Sequence, residues 1–331
     1  MLRTALLGMG GFGAHLARQV NDTSGVTLAA VVDVNTENLE QATTEFDVPS
    51  ENCYTDEEAM YEETDLDAVF IATPPAFHYE QIRRGFDHDL HVLCEKPVVM
   101  DLAAARDVLE WTEESDRVFM SGYQRHLDPA FVTARQRWQD DDREPTFVTG
   151  ELTQDWTHHF EAGTNWRLDP KIGGRGHLFS VGTHVVESVL WMTGLTPESV
   201  SAEMTFYDDD QQIDQQASLS VRFEKGATAT LADTATVPAT REHIHLWDDD
   251  GAVYLDGEGW GRRSLTVLDE TGEADTPEVT VEPQTKVEAF VEAVEAGEEP
   301  PSTARDVLRV TALLDAAYES AREGRRVAVD L

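Results

Sequence analysis

Lysine and cysteine are what this chain has least of. Only four of its 331 residues are lysine (Lys96, Lys171, Lys225, Lys286), against 21 arginines, and only two are cysteine. Cys53 and Cys94 make no disulfide framework and stand at no metal-ligand spacing, which excludes a stapled fold and a cysteine metal centre. Cys94 lies in an apolar stretch and is expected in the core. Long hydrophobic runs are missing too. None approaches the roughly 20 apolar residues of a membrane span, so no membrane partner is expected. The apolar stretch at the N-terminus is too short for a signal peptide, and its glycines serve a turn. Basic charge is scarce: 25 Lys and Arg stand against 64 Asp and Glu, for a formal net charge of −39. Phosphates would be repelled, so nucleic acid is excluded as a partner.

The acidic residues are spread along the whole length. Their longest runs are Asp140-Asp141-Asp142, Asp208-Asp209-Asp210 and Asp248-Asp249-Asp250, short and placed where turns are expected. A partner-binding face would gather its charge in a block. The spread points to a halophilic, cytoplasmic protein whose charge maintains solubility in brine. Hydrophobic residues at 40% argue against disorder, and the length suggests two domains.

Residues 4 to 13 read Thr4-Ala5-Leu6-Leu7-Gly8-Met9-Gly10-Gly11-Phe12-Gly13, an apolar strand running into Gly-x-Gly-x-x-Gly. A helix from Ala14 to Val20 follows, and a second apolar strand, Leu28 to Val32, ends on Asp33. Strand, glycine turn, helix and acid-tipped strand form the unit that holds a dinucleotide. Gly8 permits the tight turn, Gly10 lets the backbone approach a pyrophosphate, and Gly13 lets helix and strand pack closely. The helix N-terminus offers N–H groups to the phosphates. Asp33 can hydrogen-bond a ribose 2′-hydroxyl and would repel a 2′-phosphate; Val34, Asn35 and Thr36 follow with no arginine, so NAD is expected in preference to NADP.

Beyond that unit, strands at Asp67–Ala72, His91–Cys94 and Arg117–Ser121 alternate with helices from Ala76 to about Asp87 and Leu102 to Glu114. Short apolar runs separated by helices predict a parallel sheet covered on both faces. The pattern then changes. Phe147–Thr153, Val200–Tyr207, Ala217–Phe223, Ala227–Thr234, His243–Trp247 and Ala252–Asp256 are closely spaced strands, which predicts a mostly antiparallel open sheet. One helix, about Leu178 to Met192, interrupts them and ends at Gly194; another, Thr303 to about Arg322, stops at Gly324. The only linker-like stretch is Gly297 to Pro301. The fold class is thus an α/β Rossmann domain at 1–123 followed by an α+β domain at 124–331.

Four further segments carry a resemblance. They are Ala72-Thr73-Pro74-Pro75-Ala76-Phe77-His78, Cys94-Glu95-Lys96-Pro97, Asn165-Trp166-Arg167-Leu168-Asp169, and Gly174-Arg175-Gly176-His177-Leu178-Phe179-Ser180-Val181-Gly182-Thr183-His184-Val185-Val186-Glu187. In this order the chain resembles the glucose–fructose oxidoreductase and inositol dehydrogenase (Gfo/Idh/MocA) family over nearly its whole length. The resemblance implies an N-terminal nucleotide domain and a C-terminal sheet that lines the substrate site and often builds the oligomer. It implies that Lys96 and His184 face the reacting carbon beside the nicotinamide, with a cis peptide before Pro97. It also places Gly11, Phe12, Thr73, Pro74, His78, Glu95, Pro97, Trp166 and Arg167 along the cofactor. Tyr123, Arg125 and His126 follow the last Rossmann strand and are expected to enter the cleft. Trp156, His158 and His159 are candidates to line a sugar pocket; no carboxylate or cysteine at ligand spacing completes a metal site there, so no metal is expected.

Oxidising a secondary alcohol removes a hydride from carbon and a proton from oxygen. The nicotinamide takes the first, so a side chain must take the second. His184 has a suitable pKa range, and Lys96 can hydrogen-bond the oxygen and stabilise developing charge. Ser180 stands where the family usually carries aspartate, one helical turn before His184, and can orient substrate or water. Glu187 replaces another customary aspartate. The expectation is an NAD-dependent oxidoreductase acting on a sugar, polyol or inositol, assembled as a homodimer or homotetramer. Two alternatives share the scaffold: a glycosidase using transient oxidation by bound NAD, and a non-catalytic sugar or nucleotide sensor.

Overall fold

The computed structural model describes residues 1–139, 143–162 and 165–331, so the expected turn at Asp140-Asp141-Asp142 lies outside them. The chain divides into two compact units. One comprises residues 1–123 and 284–307, the other 124–283 and 308–331.

In the first unit, strands β1 (Leu2–Leu7), β2 (Val26–Val32), β3 (Cys53–Tyr54), β4 (Ala68–Ile71), β5 (His91–Cys94) and β6 (Phe119–Ser121) form a parallel sheet in the order β3-β2-β1-β4-β5-β6. Helices α1 (Gly11–Asp22), α2 (Thr36–Glu45), α3 (Glu57–Glu63), α4 (Pro75–Asp87) and α5 (Leu102–Glu114) connect them. The central strands are buried along their whole apolar runs, as a sheet covered on both faces requires. Helices α2 and α3 are not apparent from the apolar pattern, because each buries so little: Leu39 and Ala42 in α2, Met60 in α3. Polar caps start them instead, Asn35 accepting from Glu37 N and Asp56 from Glu58 N.

The second unit holds helices α6 (Pro129–Gln139), α7 (Thr157–Ala162) and α8 (Thr183–Thr193) and a nine-stranded sheet. Its strands are β7 (Phe147–Asp155), β8 (Pro197–Phe206), β9 (Asp214–Phe223), β10 (Thr228–Thr234), β11 (Thr236–Asp248), β12 (Gly251–Glu258), β13 (Ser264–Leu268), β14 (Ala274–Asp275) and β15 (Val327–Ala328). They lie in the order β14-β13-β12-β11-β7-β10-β9-β8-β15, antiparallel except where β10 meets β7. Asp208–Asp210 and Asp248–Asp250 fall at the turns after β8 and β11, as expected. The last helices are α9 (Lys286–Ala296), in the first unit, and α10 (Ala304–Glu323), which ends at Gly324 with φ +63°.

The expected helix from Leu178 is two windings. Leu178–Gly182 is π-helical and α8 continues from Thr183 to its left-handed cap at Gly194. This stretch rests on a buried polar cluster. His177 Nδ1 lies 2.8 Å from Asp233 Oδ2, and Asp214 accepts from Tyr318 Oη at 2.5 Å and Leu178 N at 2.9 Å. A Cβ on Gly182 would stand 2.7 Å from the Asp233 carboxyl carbon, so only glycine lets the π turn come this close.

Gly13 makes the corresponding approach in the first unit. A Cβ there would sit 1.9 Å from the Gly8 carbonyl oxygen, which is backbone and cannot yield. Gly13→Ala should therefore lower stability by about 3 kcal/mol, read as a drop in the thermal midpoint; an unchanged midpoint would contradict the packing. A second expectation concerns pH. Burial first, and neighbouring Asp233 second, push the Asp214 carboxyl from its usual 3.8 up to about 7, against the pull of Tyr318 and the Leu178 N–H. The folded protein thus keeps a proton that the unfolded chain has released. That contribution to stability is complete below pH 3.8 and is lost as pH rises through about 7. Asp214→Asn should flatten the stability–pH curve across this window in denaturant titrations at stepped pH, and an unaltered slope would refute the assignment.

Candidate active site

The first-unit residues expected to hold a dinucleotide gather at the C-terminal ends of β1, β2, β4 and β5, the edge where a doubly wound sheet binds its ligands. Gly8, at φ +87°, turns the chain out of β1, and a Cβ there would meet Thr73 N at 2.8 Å, so the loops after β1 and β4 lie against one another. A Cβ on Gly10 or Gly11 would meet nothing within 4 Å. Packing does not demand glycine at these two positions; the space they leave is open. Gly10 caps α1 with no side-chain bond, leaving the first-turn amides to serve an anion. Phe12, beside them, is half exposed.

Asp33 is held by three donors: Met9 N at 2.7 Å, Asn35 N at 2.8 Å and Asn38 Nδ2 at 3.0 Å. The Met9 contact ties the acid to the glycine loop itself. This combination of open glycine cradle, uncapped helix and fixed carboxylate fits a dinucleotide.

The Lys96–Pro97 peptide is cis, as the resemblance implies, and Lys96 is partly exposed at the end of β5. Its neighbours have interior duties. Glu95, expected along the cofactor, is buried and ion-paired with Lys286 of α9. His78, expected likewise, is only 1% exposed; its ring nitrogens lie 2.9 Å from Pro97 O and 2.7 Å from Thr73 O. Burial lowers its pKa, opposed by those two carbonyls. His78 thus braces the Thr73–Pro74 and Lys96–Pro97 turns from behind. Thr73 itself donates to Gln81 at 2.6 Å.

In the second unit, every residue from Gly176 to Thr193 is buried except Ser180. The π winding means that α-helical spacing, which would stack Ser180 directly on His184, does not hold across it. His184, at the first turn of α8, meets the ring of Trp260 edge-on with centroids 5.7 Å apart. Glu187 is fully buried and pairs with His126, whose ring stacks on Trp191 at 4.1 Å. Arg125, expected to enter the cleft at the cofactor, is buried too: its guanidinium meets Glu242 at 2.5 Å. Arg125 thus ion-pairs through one guanidinium nitrogen with a buried carboxylate of its own unit.

Trp166 is partly exposed beneath the Arg167 guanidinium, 4.3 Å from its ring, and burial lowers the Arg167 pKa. Trp156, a candidate pocket residue, is buried: its indole donates to Gln154 at 3.0 Å and packs edge-on against His177. His158 and His159 lie on α7 rather than on the preceding strand. Desolvation, with His158 and Arg167 nearby, pulls His159 down to about 4, so it is neutral at pH 7.

Sequence reading alone missed Asp214, Asp233, Glu242, Arg263 and Trp260. The acids were lost among 64 of their kind. Trp260 did carry a signal, a large apolar residue between Gly259 and Gly261 on an acidic chain.

The family described as "Oxidoreductase family, NAD-binding Rossmann fold" matches residues 2–123, and the "GFO/IDH/MocA C-terminal domain" matches residues 143–254. The chain is 26% identical over 337 residues to D-xylose 1-dehydrogenase (NADP(+)) 2 of Haloferax volcanii, covering 98% of this chain and 99% of that one. It is 25% identical to inositol 2-dehydrogenase of Rhizobium meliloti, covering 99% of each. A levoglucosan dehydrogenase solved in complex with NADH shares the fold, with a TM-score of 0.87 at 20% identity over 99% of both chains. With an NAD-binding sheet matched at one end and the companion domain at the other, the chain belongs to the GFO/IDH/MocA family of oxidoreductases.

Proposed function

We infer that this protein is an NAD-dependent dehydrogenase that moves a hydride between the nicotinamide and a secondary hydroxyl or carbonyl of a sugar, polyol or inositol. The observation that carries the reading is the open Gly10–Gly11 cradle tied through Met9 N to a fixed Asp33 carboxylate. Bound nicotinamide would supply the hydride acceptor or donor. The chain's own residues must do the rest. His184 takes the hydroxyl proton on oxidation and returns it on reduction. Lys96 donates a hydrogen bond to the same oxygen and stabilises charge developing there. Ser180, the one opening in the buried run from Gly176 to Thr193, orients substrate or a water. Support comes from the relatives named as xylose and inositol dehydrogenases, which span nearly the whole chain.

The surrounding features are consistent with the fuller reading. Half-exposed Phe147 beside Trp247 and Tyr254 on the large sheet favours a homodimer or homotetramer. The dispersed charge of −39 favours a salt-adapted cytoplasmic protein. Serine in place of the expected aspartate at 180 keeps a non-catalytic sensor as the second reading; it would bind NAD and turn over nothing.

Lys96→Ala and His184→Ala should each reduce kcat by on the order of 10²-fold, measured by NADH formation with a panel of sugars and polyols in molar salt. Near-normal turnover in both variants would mean the roles are misassigned. Cofactor choice is tested separately. The Asp33 carboxylate, held in place by three donors, should give a higher kcat/KM with NAD than with NADP, and Asp33→Ser should narrow the gap. A wild-type preference for NADP would reject this.

A further inference from the structure

We propose that Trp260 is the sugar-stacking residue of the His184 site, its indole receiving the C–H face of a ring-shaped substrate. This deepens the dehydrogenase reading and rests on it for the class of ligand. Trp260 sits on the turn between β12 and β13, is 43% exposed, and meets the His184 ring edge-on at 5.7 Å. His184 itself is only 3% exposed. The accessible surface immediately beside the imidazole therefore includes a large apolar ring, on a protein whose surface is otherwise crowded with carboxylates.

A turn reading Gly259-Trp260-Gly261 should be loose, because glycine on either side removes backbone restraint. The structure pins it from beneath. The Arg263 side chain runs inward, fully buried, and its guanidinium donates to Gly261 O at 2.6 Å and Gly259 O at 3.2 Å, the carbonyls flanking Trp260. Its Nε donates to Glu242 Oε2 at 2.5 Å, and Arg125 donates to the same oxygen at 2.5 Å. Gly257 completes the device, since a Cβ there would lie 2.3 Å from Arg263 Cδ. Two buried guanidiniums on one carboxylate are a costly way to hold a surface turn, and apolar packing would serve stability as well or better. What the arrangement secures is the position of one indole.

The chemistry of the ligand suits that position. A pyranose or cyclitol presents hydroxyls at its rim and C–H bonds on its faces. The negative face of an aromatic ring attracts such polarised C–H groups, while rim hydroxyls remain available to polar side chains. An acyclic polyol offers no rigid C–H face and gains less.

The test uses the full-length protein with NAD in molar salt, comparing Trp260→Ala and Trp260→Phe with wild type on D-xylose, myo-inositol and the acyclic polyol xylitol. For whichever ring substrate is oxidised, Trp260→Ala should lower kcat/KM about tenfold, carried by KM, with Trp260→Phe intermediate and the pH profile unshifted. Any effect on xylitol should be smaller. A loss carried by kcat with a shifted pH profile would mean that Trp260 merely supports His184, and would overturn the proposal. So would a KM within twofold of wild type. If neither ring compound is oxidised, the dehydrogenase reading fails on its own terms, and calorimetric titration with D-xylose and myo-inositol in the presence of NAD decides the stacking role directly. Binding by wild type that Trp260→Ala loses supports it; equal binding by both, or none by either, overturns it.

Discussion

A carboxylate sealed inside a protein must find a partner or give up its charge. This chain seals Glu95, Glu187, Asp214, Asp233 and Glu242, and its architecture around the candidate site follows from how each is satisfied. Basic residues are few, yet the interior takes Lys286, Arg125 and Arg263, together with His126 and His177. Glu95 is matched by Lys286, Glu187 by His126, Asp233 by His177, and Glu242 by two arginines. Asp214 accepts from a tyrosine hydroxyl and a backbone amide, and burial beside Asp233 raises its pKa against their pull. Surface pairs such as Arg83 with Asp87 contribute little beside these.

The matched acids stand beside, or one contact behind, the segments that carry the proposed chemistry. Glu95 precedes Lys96, and Glu187 follows His184 by less than a turn. Asp233 lies behind Gly182 in the π turn, and Glu242 grips the arginine that holds the Trp260 turn. Removing one partner from such a pair strands a desolvated charge, at a cost of about 3–5 kcal/mol. The supports are therefore stiff where reacting groups need definite positions. In the first unit, His78 plays a similar part, its two ring nitrogens lying against the carbonyls of Thr73 and Pro97.

Much of this was legible in the residues, and the reasons differ from element to element. Strand β5 and helix α5 match the apolar pattern residue for residue, because each buries a continuous or periodic apolar face. Strand β11 is far longer than its apolar stretch, because Thr236, Arg241 and Glu242 pair with β7 by backbone whatever their polarity, across a shift of register between Thr236 and Arg241. The π winding at Leu178–Gly182 escaped notice because hydrophobic spacing cannot distinguish a helix of one pitch from a brief turn of another. His78, Glu95 and Arg125 were expected at the cofactor cleft; the structure buries all three against partners, which motif position alone does not encode.

By itself the sequence determined the glycine turn, the alternation of strands and helices, the change to an antiparallel sheet and the presence of Asp33 at the tip of β2. All of these are written in residues close along the chain, where periodicity and backbone freedom act locally. Only the tertiary structure decided which side chains brace and which face outward. Lys286 meets Glu95 across 191 residues and Arg125 meets Glu242 across 117, and no local pattern encodes a partner at that range. Buried charge is satisfied by whatever the folded chain brings near, so the supports of the site, and the placing of Trp260 against His184, exist only once the unit that holds them has folded.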